Sequence, residues 1–138
     1  AGPPDIQFIG LVPHEQLPAY YQQATVCVVP SSQPIECFSI VAAEAQACGV
    51  PVIVTDFPGV RVTVEDGVSG YVIPPGNAEA LAQRIQWMME HQNQAREIGA
   101  AGRQRVEQLY SWKVVGDQLA QAYAQIRNQI FIIQLRYN

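Results

Sequence analysis

The sequence predicts an α/β fold: a parallel sheet covered by helices, followed by a C-terminal third that is almost wholly helical. Three observations carry this prediction. Four short β-rich segments, residues 6–9, 25–29, 50–55 and 70–73, are mostly continuous apolar runs, the pattern of strands buried on both faces and hence of a parallel sheet. Helical patterns separate some of these segments and dominate from residue 77 onward. The chain has 138 residues, 49% hydrophobic and 14% charged, which suits one globular domain over residues 1–138 and argues against intrinsic disorder.

Each element has a local reason. Residues 15–23 follow Pro13 and place Leu17, Tyr20, Tyr21 and Ala24 at spacings of three and four, predicting a short helix. Residues 39–48 are rich in Ala and Glu and are stopped by Gly49 and Pro51, the expected ending of a helix. Asn77 can cap a helix whose Leu81, Ile85, Met88 and Met89 share one face. Residues 94–109 predict a second long helix with Ile98, Ala101 and Val106 inward and Arg103, Arg105 and Glu107 solvated. Ser111 caps a third, in which Trp112, Val115, Leu119, Ala122, Tyr123 and Ile126 form an apolar stripe expected to pack in the core. Pro58-Gly59, Asp66-Gly67 and Pro74-Pro75-Gly76 mark loops.

Composition narrows the function. Eight Lys plus Arg against twelve Asp plus Glu give a formal net charge of −4, and a phosphate-backbone binder needs a basic face, so no nucleic-acid partner is expected. Arg61 is the first basic residue, after five acidic ones. No apolar run reaches the roughly 20 residues of a membrane helix, so no transmembrane segment is expected. Cys27, Cys37 and Cys48 fall in no CxxC pair and near no His, which points away from disulfides or zinc and toward a reducing, cytoplasmic compartment.

The chemistry concentrates between Pro30 and Pro51, which read as a strand end, a loop and a helix start. Open α/β sheets bind ligands beyond the carboxyl ends of their strands. A helix starting near Ser39 leaves the N–H groups of Phe38, Ser39 and Ile40 unpaired, an anion site supported by the helix dipole. Glu36 and Glu44 bracket it, roughly 12 Å apart if the segment were fully helical at about 1.5 Å per residue. Ionised carboxylates accept hydrogen bonds and so suit hydroxyl-rich groups. A ligand with polyols at both ends and phosphate between them is a nucleoside diphosphate sugar. The plainer reading of the spacing is that Glu36 complements the helix dipole and Glu44 is a solvated helix residue.

The run Glu36-Cys-Phe-Ser-Ile-Val-Ala-Ala-Glu44-Ala-x-Ala-Cys-Gly49-x-Pro51-Val-Ile resembles the signature of the family 4 retaining glycosyltransferases of the GT-B fold. Further blocks match in order: Phe8-Ile-Gly10 with Leu17-x-x-Tyr20-Tyr21, Pro30-Ser31, Glu65-Asp66-Gly67-x-x-Gly70, Pro75-Gly76-Asn77 and Tyr110-Ser111-Trp112. The resemblance implies a Rossmann-like parallel sheet, part of the C-terminal, donor-binding domain of such an enzyme. It implies hexosyl transfer from a nucleoside diphosphate sugar to an acceptor hydroxyl with retained configuration, the acceptor being unspecified. Glu36 would be the catalytic residue, contacting donor-sugar hydroxyls, Glu44 would hold the ribose, and the amides of Phe38, Ser39 and Ile40 would face the diphosphate. Leu11 and Val12 would meet the nucleobase through their backbone. No metal or other cofactor is implied. A non-catalytic nucleotide-binding or interaction module of the same shape is the alternative, since shape alone does not establish activity.

Two departures stand out. Ser39 replaces the Gly usual after the Phe, which is tolerable at negative φ, and Pro58-Gly59-Val60-Arg61-Val62 stands where the family often has Gly-Gly-x-x-Glu. The chain also begins at what would be the family domain's third strand. The first two strand–helix units, the Arg and Lys that bind the diphosphate, and the acceptor domain would then lie outside these residues. In the family's 3-2-1-4-5-6 order the segments 6–9 and 25–29 should not pair directly. Weak or absent activity is the expectation for the isolated chain. Its unpaired sheet edges predict association, as a homo-oligomer or a strand-exchanged assembly. The apolar tail, 130–138 with Ile130-Phe131-Ile132-Ile133, reads either as an added strand or contact or as a continuation of the last helix.

Overall fold

A computed structural model describes the backbone of residues 6–136 and the side chains of residues 6–127. Three strands, β1 (Cys27–Val29), β2 (Val52–Thr55) and β3 (Gly70–Ile73), form one parallel sheet in the order β1-β2-β3. The register pairs Cys27 with Val52 and Val52 with Gly70. All four β2 residues are buried, as the continuous apolar run requires of a central strand covered on both faces. Its side chains alternate. Val52 and Val54 join Val29, Ala42, Ala45, Val50, Val60 and Val64 on one face, while Ile53 joins Ile73, Met88 and Ala95 on the other.

Helices supply both covers. α1 (Leu17–Tyr21) follows a 3-10 turn at His14–Gln16, and α2 (Ile40–Ala47) begins at the Ser39 N-cap, whose hydroxyl accepts from the Ala42 N–H at 3.4 Å. α2 gives way at Gly49, where φ is +77°. α3 (Pro58–Arg61) is a single turn after β2. α4 (Ala78–Glu90) is capped by Asn77, which accepts from the Ala80 N–H at 2.9 Å, and α5 (Gln92–Tyr110) and α6 (Trp112–Arg136) complete the chain. α5 lies against α2 so closely that a Cβ on Gly99 would overlap the Gly49 carbonyl and come within 3.1 Å of Pro51 Cδ.

Several expectations are corrected. Residues 6–9 form no strand: an extended segment becomes one only through hydrogen bonds to a neighbour, and none of the described strands lies beside it. Ile6, Phe8 and Ile9 are exposed. This segment does not pair with β1. The predicted helix 15–23 is a 3-10 turn followed by five helical residues, with Tyr20 exposed.

The stripe on α6 is not core: Trp112 is 91% exposed, and Val115, Leu119, Tyr123 and Ile126 also face solvent, because α6 runs on past the sheet. Met89 is likewise exposed beside buried Met88. The tail is not a strand over residues 130–136, whose backbone continues α6; its side chains and residues 137–138 lie outside the described residues. Among the described residues no helix is long and apolar enough to cross a membrane.

Candidate functional site

The site gathers where β1 ends and α2 begins, at the carboxyl edge of the sheet. Ser39 is wholly buried, and its φ of −85° is one that a residue other than Gly adopts without strain. Among the described residues, the N–H groups of Phe38, Ser39, Ile40 and Val41 have no backbone partner, while the next two are held by Ser39, Ala42 by its hydroxyl and Ala43 by its carbonyl at 3.2 Å. Unpaired amides at the positive end of a helix dipole form an anion-binding geometry.

The two acids flank this end unequally. Glu36 lies in the loop before α2, not on the helix, and its Oε2 accepts from Ser31 Oγ at 2.7 Å. Glu44 is on the second turn of α2, where Oε2 accepts from the Tyr21 hydroxyl at 3.0 Å and Oε1 lies 3.7 Å from His14 Nδ1. The estimate of about 12 Å for a fully helical segment therefore does not apply, since α2 starts only at Ile40. The Tyr21 phenol is pushed up to about 12, first by burial and then by donating to Glu44. Leu11 is fully exposed and Val12 half-buried, both on the segment leading to His14. Phe38 packs edge-on against Tyr110 at 5.0 Å between ring centroids, and Ile40 faces solvent.

The departing loop turns out to be part of the site. A Cβ on Gly59 would lie 2.8 Å from the Cys37 Cα and carbonyl carbon, and nearer still to the Glu36 carbonyl oxygen. α3 therefore rests directly on the backbone that carries Glu36. Three side chains pin the segment after it. Buried Gln46 on α2 donates to the Thr63 carbonyl at 3.0 Å, the Tyr110 hydroxyl donates to the Val62 carbonyl at 3.1 Å, and Arg105 reaches the same carbonyl at 3.4 Å and Glu65 at 3.6 Å. Arg105 is therefore not solvated as expected, whereas Arg103 and Glu107 pair on the surface at 2.9 Å.

Sequence reasoning missed Tyr21, Gln46, Gly59 and Tyr110. Gln46 alone carried a usable signal, as a long polar side chain on the helix face of the buried positions Ala42 and Ala45.

Arg61, the first basic residue, is engaged by Asp56 at 2.8 Å. The three cysteines are free; Cys27 and Cys48 are half-buried, with their thiols pushed up by burial, and Cys37 is exposed. Among the described residues no three His, Cys, Asp or Glu side chains cluster as metal ligands would. A cleft of about 590 Å³ adjoins the acid-flanked helix end. Its lining, which includes Phe38, Ile40, Val106 and Val115, is mostly apolar, with Glu44, Tyr110 and Trp112 the residues that carry polar side-chain atoms. The oriented donors beside it are the unpaired backbone amides of the helix end.

Comparison with known proteins identifies the family. Residues 2–105 match the family described as glycosyl transferases group 1. The D-inositol 3-phosphate glycosyltransferase of Geodermatophilus obscurus is 37% identical over 118 residues, covering 86% of this chain and 25% of that protein. Sucrose-phosphate synthase from Thermosynechococcus elongatus superposes with a TM-score of 0.82 at 41% identity, over 89% of this chain and 30% of its own. HepE of Anabaena, in complex with UDP and glucose, superposes with a TM-score of 0.79 at 25% identity, over 86% of this chain and 32% of its own. The chain spans about a quarter of the length of these curated relatives. Its parallel sheet and flanking helices are part of a GT-B architecture, and the chain belongs to the group 1 glycosyltransferases.

Proposed function

We propose that these 138 residues are the donor-binding part of a retaining glycosyltransferase that moves a sugar from a nucleoside diphosphate sugar to an acceptor hydroxyl. The observation that carries the proposal is the α2 N-terminus with unpartnered amides at residues 38–41, flanked by Glu36 and Glu44. The diphosphate lies over those amides, the sugar meets Glu36 and the ribose meets Glu44. Leu11 and Val12 contact the base through their backbone. Negative charge developing on the leaving diphosphate is met by oriented N–H groups and the helix dipole, which need no reorganisation as the bond breaks. No metal ion enters this reading. Glu36 orients the sugar while the acceptor hydroxyl attacks from the face the diphosphate vacates. The likeness to HepE, in complex with UDP and glucose, supports this class of donor.

The same reading makes the open edge of β1 the place where a further strand completes the sheet. It also makes the isolated chain a weak binder. Two carboxylates lie beside the anion and repel it, and Arg61 is engaged by Asp56.

Calorimetric titration of the chain with UDP, GDP and ADP tests the proposal. Saturable binding of at least one, near millimolar, is expected. Absence of binding by all three at 10 mM or so, far weaker than the roughly 4 kcal/mol of a millimolar complex, overturns it. In an enzyme containing this chain, Glu36→Gln should lower turnover by orders of magnitude and leave nucleotide affinity nearly unchanged; equal turnover removes Glu36 from the mechanism.

A further inference from the structure

Glu44 is held from one side only. Its Oε2 accepts from the Tyr21 hydroxyl at 3.0 Å, while Oε1 lies 3.7 Å from His14 Nδ1, too long for a hydrogen bond. One carboxylate oxygen is thus engaged by the protein and the other keeps its lone pairs available. The contact spans 23 residues, from the last residue of α1 to the second turn of α2, and the Tyr21 ring packs against the core beneath.

A glutamate has three rotatable side-chain bonds, and without a partner its carboxylate would sample several orientations. Tyr21 is a good restraint because its ring is anchored and its phenol remains a donor over the whole neutral range, its pKa being pushed up to about 12. Leu11 and Val12 lie on the chain leading to His14, so the available oxygen sits near the segment assigned to the base.

We infer that Tyr21 is a positioning residue: it fixes the Glu44 carboxylate so that Oε1 accepts from the ribose hydroxyls of the bound nucleoside diphosphate. The inference rests on the donor-site reading and adds to it the residue that orders the ribose contact. Orientation set before binding removes an ordering cost at binding.

The test compares the full 138-residue chain with its Tyr21→Phe variant, which keeps the ring and removes only the donor. The probes are UDP, GDP and ADP, whichever binds most tightly, and its 2′,3′-dideoxy counterpart, titrated by NMR. The wild-type chain prefers the ribose form, and Tyr21→Phe reduces that preference by about three- to tenfold, the equivalent of ordering one side chain. The affinity of the dideoxy form changes little. In a Glu44→Ala background the same Tyr21→Phe change has no further effect on the preference.

A second measurement needs no variant: the Glu44 carboxyl ¹³C resonance of the wild-type chain moves with the ribose form and stays in place with the dideoxy form. An unchanged preference or an equal loss for both forms overturns the role of Tyr21 alone, whereas an unmoved Glu44 resonance on saturation removes the Glu44–ribose contact of the donor-site reading, and this inference with it. Failure of all three nucleotides to bind overturns the donor-site reading, and this inference with it.

Discussion

Replacing Gly59 by Ala sets two effects of opposite sign against each other. Gly59 is inside α3, and exchanging a helical Gly for Ala normally favours the helix by about 0.8–1.0 kcal/mol. Here the added Cβ would meet Cys37 backbone atoms at 2.8 Å, with the Glu36 carbonyl oxygen closer still. Backbone cannot rotate away as a flexible side chain can. The two segments must separate by on the order of 1 Å, and such overpacking typically costs about 1–3 kcal/mol.

Set against the helical gain, the net loss is up to about 2 kcal/mol, which for a domain of this size lowers the melting temperature by up to roughly 8 °C. Gly116, on α6 with nothing within 4 Å of its would-be Cβ, is the matched control. Gly116→Ala should leave the melting temperature unchanged or raise it slightly. Thermal unfolding of the two variants side by side reads the difference directly. A melting temperature raised by Gly59→Ala as much as by Gly116→Ala would refute the claim that α3 bears on the Glu36 backbone.

Other consequences follow from single contacts. Ser39→Ala removes the α2 cap and should cost about 1 kcal/mol in denaturant unfolding, while Ser39→Gly costs only a few tenths. Leu119→Gln on the exposed face of α6 should fall within about 0.5 kcal/mol of the parent. Met88→Ala, which empties a fully buried position, should cost about 2–5 kcal/mol. The Tyr21 phenol titrates at 10.0 when unperturbed and near 12 when folded. Its contribution is therefore complete below pH 10 and is lost as pH rises toward 12, because the folded state holds the proton more tightly than the unfolded one. Melting temperatures measured from pH 9 to 12 should fall more steeply for the parent than for Tyr21→Phe.

What the sequence revealed and what it concealed divide along physical lines. Continuous apolar runs located β1, β2 and β3 because burial on both faces leaves a local signature, and Ser39, Asn77 and Ser111 marked helix starts because capping is chemistry between near neighbours. Residues 6–9 carry the same apolar signature without forming a strand, since strand formation depends on a partner that local composition does not encode. The α6 stripe fails for a related reason: periodicity shows that a helix has an apolar face, not that something covers it. At the site, the placement of Glu36 and Glu44 around a helix end was legible from their spacing. Tyr21, Gln46, Gly59 and Tyr110 were not, because each acts on a residue 17 to 48 positions away in sequence or through bare backbone.

The account turns on where a nucleoside diphosphate binds, and amide chemical-shift mapping of the ¹⁵N-labelled chain during titration with UDP, GDP and ADP tests this most directly. α4 offers a competing helix N-terminus at Asn77, beside a cavity of about 200 Å³ at the strand ends that Ser31 and Thr55 also line. The account predicts the largest shifts at Phe38, Ser39 and Ile40, accompanied by Glu44. Shifts centred on residues 77–80, with the α2 amides unmoved, would contradict it.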